Sequence, residues 1–361
     1  MSLKHCRLSL RERTEERYFR GAKGDTYQNR LRQNLGLTLI ELLVVVSLIA
    51  ILLALTLQGV QGSREAMRRS DCSNHLRQIG LGINNYLAAY NAYPFGVGDD
   101  ADHLVSTFGS LAHRRYSTHS QLLPFLELQP LYEQIHFAYS PFHPDMSGDP
   151  DWVTGAGPNE VAAQTLVPLF LCASDSNRTG RPWGGNSYRS CNGNSWSGRT
   201  GNGIFGQAKL LRPAEIRDGT NHVAAFCERI MGDGLNQQVE RSSDLFGDGN
   251  SWTEPALKSW CAGLTKTVAA GLPLHDSNSG MTWLEGNMNW TRYNHVATPG
   301  QWSCKNKISW DGVIMTVSSQ HVGGVNMLLA SGSVRFVTDN IDVQIWNDLG
   351  DVASGKVPGD F

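Results

Sequence analysis

Signatures of the common enzyme classes are missing from this chain of 361 residues. It has no G-x-S-x-G elbow, no H-E-x-x-H, no P-loop, and no G-x-G-x-x-G between a strand and a helix. No spacing therefore argues for acyl transfer, zinc proteolysis, nucleotide hydrolysis or dinucleotide binding. C-x-x-C is absent too, and the irregular cysteine spacings speak against a structural zinc site. Neither an internal repeat nor a low-complexity linker divides the chain past residue 95. That stretch of about 265 residues reads as one substantial core, or a core with inserted loops. Charged residues are only 18% of the chain. Beyond the first 36 residues the basic ones concentrate only at Arg64, Arg68, Arg69 and Arg77, which excludes a nucleic-acid partner.

What is there is one long apolar run with a carboxylate inside it. From Leu42 to Leu57 only Ser47 and Thr56 interrupt Leu, Val, Ile and Ala. With Leu37 to Ile40 added, the run has the roughly 20 residues that cross a bilayer core. Glu41 sits one turn inside. An intramembrane ionised group costs on the order of 3 kcal/mol, so it asks for a partner cation or a role. Before the run stand nine Lys or Arg against four acids, a surplus of five positive charges that leaves the remainder of the chain seven negative. By the positive-inside rule the amino terminus is cytoplasmic and the body periplasmic or extracellular, in a single-pass protein of the inner (cytoplasmic) membrane.

The segment G-L-T-L-I-E-L-L-V-V-V-S-L-I-A-I-L-L-A-L from Gly36 resembles the processing motif of type IV prepilins and type II secretion pseudopilins. The resemblance implies cleavage by prepilin peptidase between Gly36 and Leu37, and methylation of the new amino-terminal Leu37. It makes Glu41 the fifth residue of the mature chain, acting in assembly with other pilin-like subunits. Leu37 departs mildly from the usual Phe. In a helix bundle Glu41 would meet the freed amino group of a neighbour and both charges would be neutralised in low dielectric. A plain signal anchor explains the apolar run but not a Glu five residues after a Gly. A secretory signal peptide fits less well, since the run exceeds about 7–15 residues, and a buried helix of a soluble protein fits least.

Downstream, Cys72, Leu76, Ile79, Ile83, Tyr86, Leu87 and Tyr90 recur at helical spacing, with Glu65 and Arg69 as an i,i+4 pair on the opposite side. Pro94, Gly96 and Gly98 are expected to end the helix, and Gly59, Gly62, Gly80 and Gly82 to weaken or kink it. After residue 95, short runs at 165–172, 223–227, 312–317, 325–330 and 333–337 read as strands. The expected fold is α+β: a long pilin-type helix, membrane-spanning in its first half, packed on an antiparallel β-rich globular domain. The divisions are 1–36 (basic leader), 37–93 (helix, with the span at about 37–57) and 94–361 (extracytoplasmic domain).

A second resemblance covers most of the mature chain. The blocks from Arg68 to Leu81, Gln121 to Glu127, Phe170 to Asp175, Gly201 to Phe205, Ile216 to Asn221 and His321 to Phe336 look like the bacterial pilin-like family labelled domain of unknown function 1559. That family carries a carboxy-terminal His, nine residues, then Asp-Gly. Here His321 is followed by Ser331-Gly332, so any role of the family's Asp, such as metal binding, does not transfer. The same stretch has a sufficient reading as a hairpin, with Gly323-Gly324 as a turn and Ser331-Gly332 joining two strands.

Six cysteines follow the leader. Bonds Cys172–Cys191 and Cys261–Cys304 are expected, because each pair brackets a Gly- and Asn-rich or a Trp-rich loop. No cofactor is called for. Calcium at Asp244 to Ser251 is the alternative, although Phe246 occupies a ligand position and no Glu follows. The ten Trp all follow the span, and aromatic faces in loops suit sugar or protein ligands. Two functions therefore stand open. The first is a pseudopilin-like structural subunit, not an enzyme; the second is a membrane-anchored binding module for polysaccharide or protein with a Trp-rich surface.

Overall fold

The computed structural model describes residues 38–98, 115–137, 141, 159–176, 183–235, 238–307 and 312–356. The chain divides into two units, Met1–Leu57 and Gln58–Phe361. Helix α1, Leu39–Tyr90, runs across the division. Its first part has Val44, Val45 and Val46 in succession, residues that cost helix propensity in water. A bilayer removes the alternative, because there every backbone polar group has to be bonded within the segment. The Leu, Ile and Val side chains of this part are exposed, and it is long and apolar enough to cross a membrane.

The second unit is α+β. After α1 come α2 (Thr118–Leu122), α3 (Gln129–Tyr132), α4 (Glu160–Gln164), α5 (Glu254–Ala262), α6 (Lys266–Ala269) and α7 (Val343–Gly350). The strands are β1 (Tyr188–Cys191), β2 (Ala224–Glu228), β3 (Leu245–Gly247), β4 (Leu274–Asp276), β5 (Arg292–Tyr293), β6 (Ser303–Lys305), β7 (Val313–Ile314), β8 (Gly324–Leu329) and β9 (Val334–Thr338). One sheet has the order β5-β1-β2-β8-β9 and the other β4-β3-β6-β7. Both are mixed rather than purely antiparallel, because β1 pairs with β5 and β3 with β6 in parallel. Each parallel neighbour is reached by a long excursion of chain, which short turn signals do not reveal.

The larger sheet is covered on both faces. Tyr188, Phe226 and Leu328 point to one side, where Cys72, Leu76, Ile79 and Ile83 of α1 and Phe170 pack. Cys191, Cys227, Val325 and Met327 point to the other, against Trp346 and Leu349 of α7. This is the period-two alternation of strands meeting the 3.6 periodicity of α1, and burying each large side chain stabilises the fold by about 2 kcal/mol. A third cluster, around Phe246, Leu257, Trp302 and Ile314, belongs to the smaller sheet.

Several expectations need correction. Residues 165–172 are not a strand: Pro168 opens a 3-10 turn at Pro168–Phe170, with the Phe170 amide donating to the Val167 carbonyl, as fixed φ favours a helical start. Helix α1 stops before Pro94, at Asn91, whose φ of 50° is a left-handed cap and whose amide donates to the Leu87 carbonyl. Glu65 pairs with Arg68, not Arg69. The Arg69 guanidinium lies 3.4 Å over the Phe336 ring instead. Gly80 and Gly82 do not interrupt the helix and bring it close: a Cβ at Gly80 would stand 2.9 Å from Leu328 Cδ1, and one at Gly82 would collide with Leu126. Tyr90 is exposed although its spacing matches the buried stripe.

Candidate functional site

Gly36 and Leu37 lie outside the described residues. Glu41 is within them, and it has a local partner that apolar patterning alone did not suggest. Thr38 is the helix N-cap: its amide and hydroxyl donate to Glu41 Oε2 at 2.9 and 2.8 Å, and the Glu41 amide donates back to Thr38 Oγ1 at 3.3 Å. This is a capping box, readable in the sequence as T-x-x-E. It uses amide donors that a helix start otherwise leaves bare. One oxygen of the carboxylate is thus occupied, and Oε1 remains for a further donor.

The carboxy-terminal motif resolves into two separate places. Ser331 and Gly332 form the turn joining β8 to β9, in which the Leu329 amide donates to the Ser333 carbonyl and Gly332 has φ of 87°. The hairpin reading fits this geometry, and Gly332 lies against Gly80 and Asn84 of α1. His321 sits before β8, beside Glu65, fifteen residues earlier on α1 than Gly80 and so about 22 Å away along the helix axis. The two halves of the motif do not form one site.

Around His321 the fold gathers side chains from four distant segments. His321 Nδ1 lies 2.7 Å from Glu65 Oε1. Its Nε2 lies 3.4 Å from Glu228 Oε1, at the end of β2, and 3.6 Å from Cys172 Sγ. Cys172 is bonded to Cys72 of α1. Glu228 is held by Asn326, whose amide donates to Oε2 and whose Nδ2 donates to Oε1, both at 2.8 Å. Burial opposes a charged imidazole here, but Glu228 and Glu65 outweigh it and raise the His321 pKa above its ordinary 6.5. Burial likewise works against ionised Glu65, yet His321 and Arg68 hold its pKa below the ordinary 4.5. An ion pair thus links α1 to the loop before β8. These residues could hold a cation, but among the described residues of this cluster none is an activated nucleophile.

The disulfide expectation is half corrected. Cys261 does pair with Cys304, but Cys172 pairs with Cys72 and not with Cys191. Cys191 lies with Cys227 in the core on the opposite face of the larger sheet from Cys172, out of reach of a bond of fixed span. Both remaining thiols are free and buried. Burial pushes Cys191 up to about 12 and Cys227 well above its usual value, so neither is a thiolate nucleophile.

Two other sequence candidates take ordinary structural roles. In the stretch considered for calcium, Asp244 Oδ2 is engaged by His275 Nε2 at 2.7 Å and by the Glu240 amide, and its Oδ1 by Ser243 Oγ. Asp248 accepts from the Asn250 amide, Asn250 Nδ2 and Trp252 Nε1, and Leu245–Gly247 between them is β3. Of the ten Trp, Trp152 and Trp310 lie outside the described residues. Trp183, Trp283, Trp290, Trp302 and Trp346 are buried, while Trp196, Trp252 and Trp260 are half-buried against the third cluster. Among the described residues no Trp is fully exposed. A cleft of about 260 Å³ beside Cys261, Trp302 and Val343 is mostly apolar.

Residues 61–344 match the family described as "Protein of unknown function (DUF1559)". The chain belongs to that family. Residues 31–57 match the prokaryotic N-terminal methylation motif, the stretch that contains Gly36, Leu37 and Glu41. No curated protein and no solved structure matches the chain. The two matches make this member of the family a type IV pilin-like, prepilin-processed protein, a class compatible with a structural rather than a catalytic role. The motif implies processing by prepilin peptidase and assembly with other pilin-like subunits, and with the apolar helix it indicates membrane anchoring.

Proposed function

We propose that the protein is a pseudopilin-like structural subunit of a type II secretion or type IV pilus-like assembly. It is cut after Gly36, methylated on Leu37, and held in the inner membrane with its amino terminus cytoplasmic before assembly. The observation that supports this most is the coincidence of the methylation motif at 31–57 with the apolar first part of α1, in which Glu41 is the single carboxylate. In a bundle of such helices the Leu37 amine of a neighbour supplies the cation that Glu41 lacks. Thr38 holds the carboxylate at the helix start with Oε1 unengaged, so accepting that amine does not require breaking the capping box.

The test has two arms. Mass spectrometry of protein made alongside an active prepilin peptidase is expected to find methylated Leu37 at the amino terminus; an intact leader overturns the processing. Glu41→Val is expected to be cleaved normally and to be lost from isolated assemblies. Undiminished incorporation of that variant overturns the role of Glu41.

A further inference from the structure

Four potential ligand atoms converge where the carboxy-terminal His sits. Sγ of Cys72, Sγ of Cys172, an oxygen of Glu228 and a nitrogen of His321 all lie within 4.8 Å of one another, and all four residues are buried. They come from α1, the turn after Pro168–Phe170, the end of β2 and the loop before β8, so no local spacing could have announced them. The Cys72–Cys172 disulfide occupies two of the four.

We propose that these four atoms form a redox-controlled site for a divalent metal of the zinc class, closed by the disulfide and opened when the disulfide is reduced. Three observations carry the proposal. The first is distance. Zinc bonds of about 2.0–2.1 Å to nitrogen, 2.0–2.2 Å to oxygen and 2.3 Å to sulfur, set tetrahedrally, require edges of about 3.4 Å between N and O and about 3.6 Å between N and S. His321 Nε2 stands 3.4 Å from Glu228 Oε1 and 3.6 Å from Cys172 Sγ. The second is orientation. Nδ1 of the same ring is engaged by Glu65 at 2.7 Å, the outer-shell carboxylate that turns a metal-bound imidazole so that its other nitrogen faces the ion. The third is the chemistry of the set. With the disulfide closed, the His321 imidazolium is the cation between Glu228 and Glu65; once that bond is reduced, one imidazole nitrogen, one carboxylate oxygen and two thiolates make a four-donor set suited to a divalent ion. Asn326 fixes Glu228 through both oxygens, so the carboxylate is in place before any metal arrives.

The step balances with an external dithiol or phosphine as reductant. Two electrons and two protons convert Cys72–Cys172 to two thiols while the reductant is oxidised. The metal then displaces both thiol protons and the Nε2 proton of His321 to solvent, and Nε2 and a Glu228 oxygen complete the four ligands. In either state α1 is tied to the segment carrying Cys172, by a covalent bond or through the ion. The inference does not rest on the pilin-like reading.

The experiment uses the full chain in detergent, with cobalt(II) as the probe, before and after reduction by a phosphine under anaerobic conditions. The reduced protein is expected to take up one cobalt with the visible bands of a tetrahedral ion and thiolate charge-transfer absorption, and the oxidised protein none. Cys261→Ser/Cys304→Ser is expected to keep that signal and His321→Ala to lose it. Glu65→Gln is expected to weaken cobalt binding by about 10–100-fold while the tetrahedral spectrum persists. A reduced protein without the tetrahedral signal, or a signal that survives His321→Ala, overturns the proposal. Wild-type protein gives a readout free of variant folding: zinc is expected to protect Cys72 and Cys172 from alkylation after reduction. Alkylation of both at the same rate with and without zinc also overturns it.

Discussion

The apolar span and the globular unit satisfy their polar groups by opposite means. Within Thr38–Leu57 the partners are three or four residues away: Glu41 with Thr38, Ser47 Oγ donating to the Leu43 carbonyl, Thr56 Oγ1 donating to the Leu53 carbonyl. Within Gln58–Phe361 many are remote. Glu228 takes both its Asn326 bonds from 98 residues away, His321 reaches Glu65 across 256, and Arg229 donates to Thr316 across 87. The difference follows from the surroundings. A segment in lipid has no water and no assured protein neighbour, so it bonds its polar groups within its own turns. A folded core can leave its polar groups to partners that arrive only when the whole chain closes.

The largest expected effect tests that contrast directly. Arg229 is fully buried and donates to the carbonyls of Thr316 and Ser243 and to Ser279 Oγ. Arg229→Met keeps the bulk and strands those acceptors. Urea unfolding of the full chain in detergent is expected to show a loss of at least about 3 kcal/mol. Ser47→Ala in the span is expected to shift the same measurement by no more than about 0.5 kcal/mol. Equal effects would erase the distinction between near and remote partners.

Acid sharpens it further. Burial holds His119 and His295 in the folded unit down to about 3, against an ordinary 6.5. Between those values the unfolded chain binds protons that the folded one refuses. Their contribution is therefore complete above pH 6.5 and is lost as pH falls toward 3. Each lowers stability by about 1.4 kcal/mol per pH unit below pH of about 6. His295 also accepts from Tyr293 and bonds the Trp346 carbonyl, so His295→Gln is less stable at pH 7. Its stability is nevertheless expected to fall less steeply with acid than that of the natural protein. Parallel slopes would show that His295 charges freely in the folded state.

Two glycines of the same helix are expected to give modest effects of opposite sign. Gly80→Ala places a methyl 2.9 Å from Leu328 Cδ1 and is expected to cost roughly 1–3 kcal/mol by overpacking. Gly59→Ala meets nothing within 4 Å and is expected to stabilise α1 by up to about 1 kcal/mol. Thermal melts monitored at the helical signal distinguish them, and a shared sign would show that helix propensity outweighs contact at Gly80.

How far the chain could be read without its fold follows the same division. The apolar run, the buried stripe Cys72, Leu76, Ile79 and Ile83, and the hairpin around Ser331-Gly332 depend on short repeats of residue type, and all three have counterparts in the structure. The capping box at Thr38 and Glu41 is equally local, a T-x-x-E spacing three residues long. The Cys172 partner was not readable. Which face of a sheet a cysteine occupies depends on register, and one strand step moves it to the other side. The parallel pairings of β5 and β6 were hidden because a long excursion of chain separates each from its partner.

Local order thus decided the amino-terminal half of α1: its apolar character, its cap and its single carboxylate are properties of neighbours in the chain, which hydrophobicity and turn periodicity report. Tertiary structure alone decided that Glu65, Cys72, Cys172, Glu228 and His321 meet. Those residues share no spacing, and only the closing of the larger sheet against α1 removes all but Glu65 from water and puts their lone pairs within reach of one another.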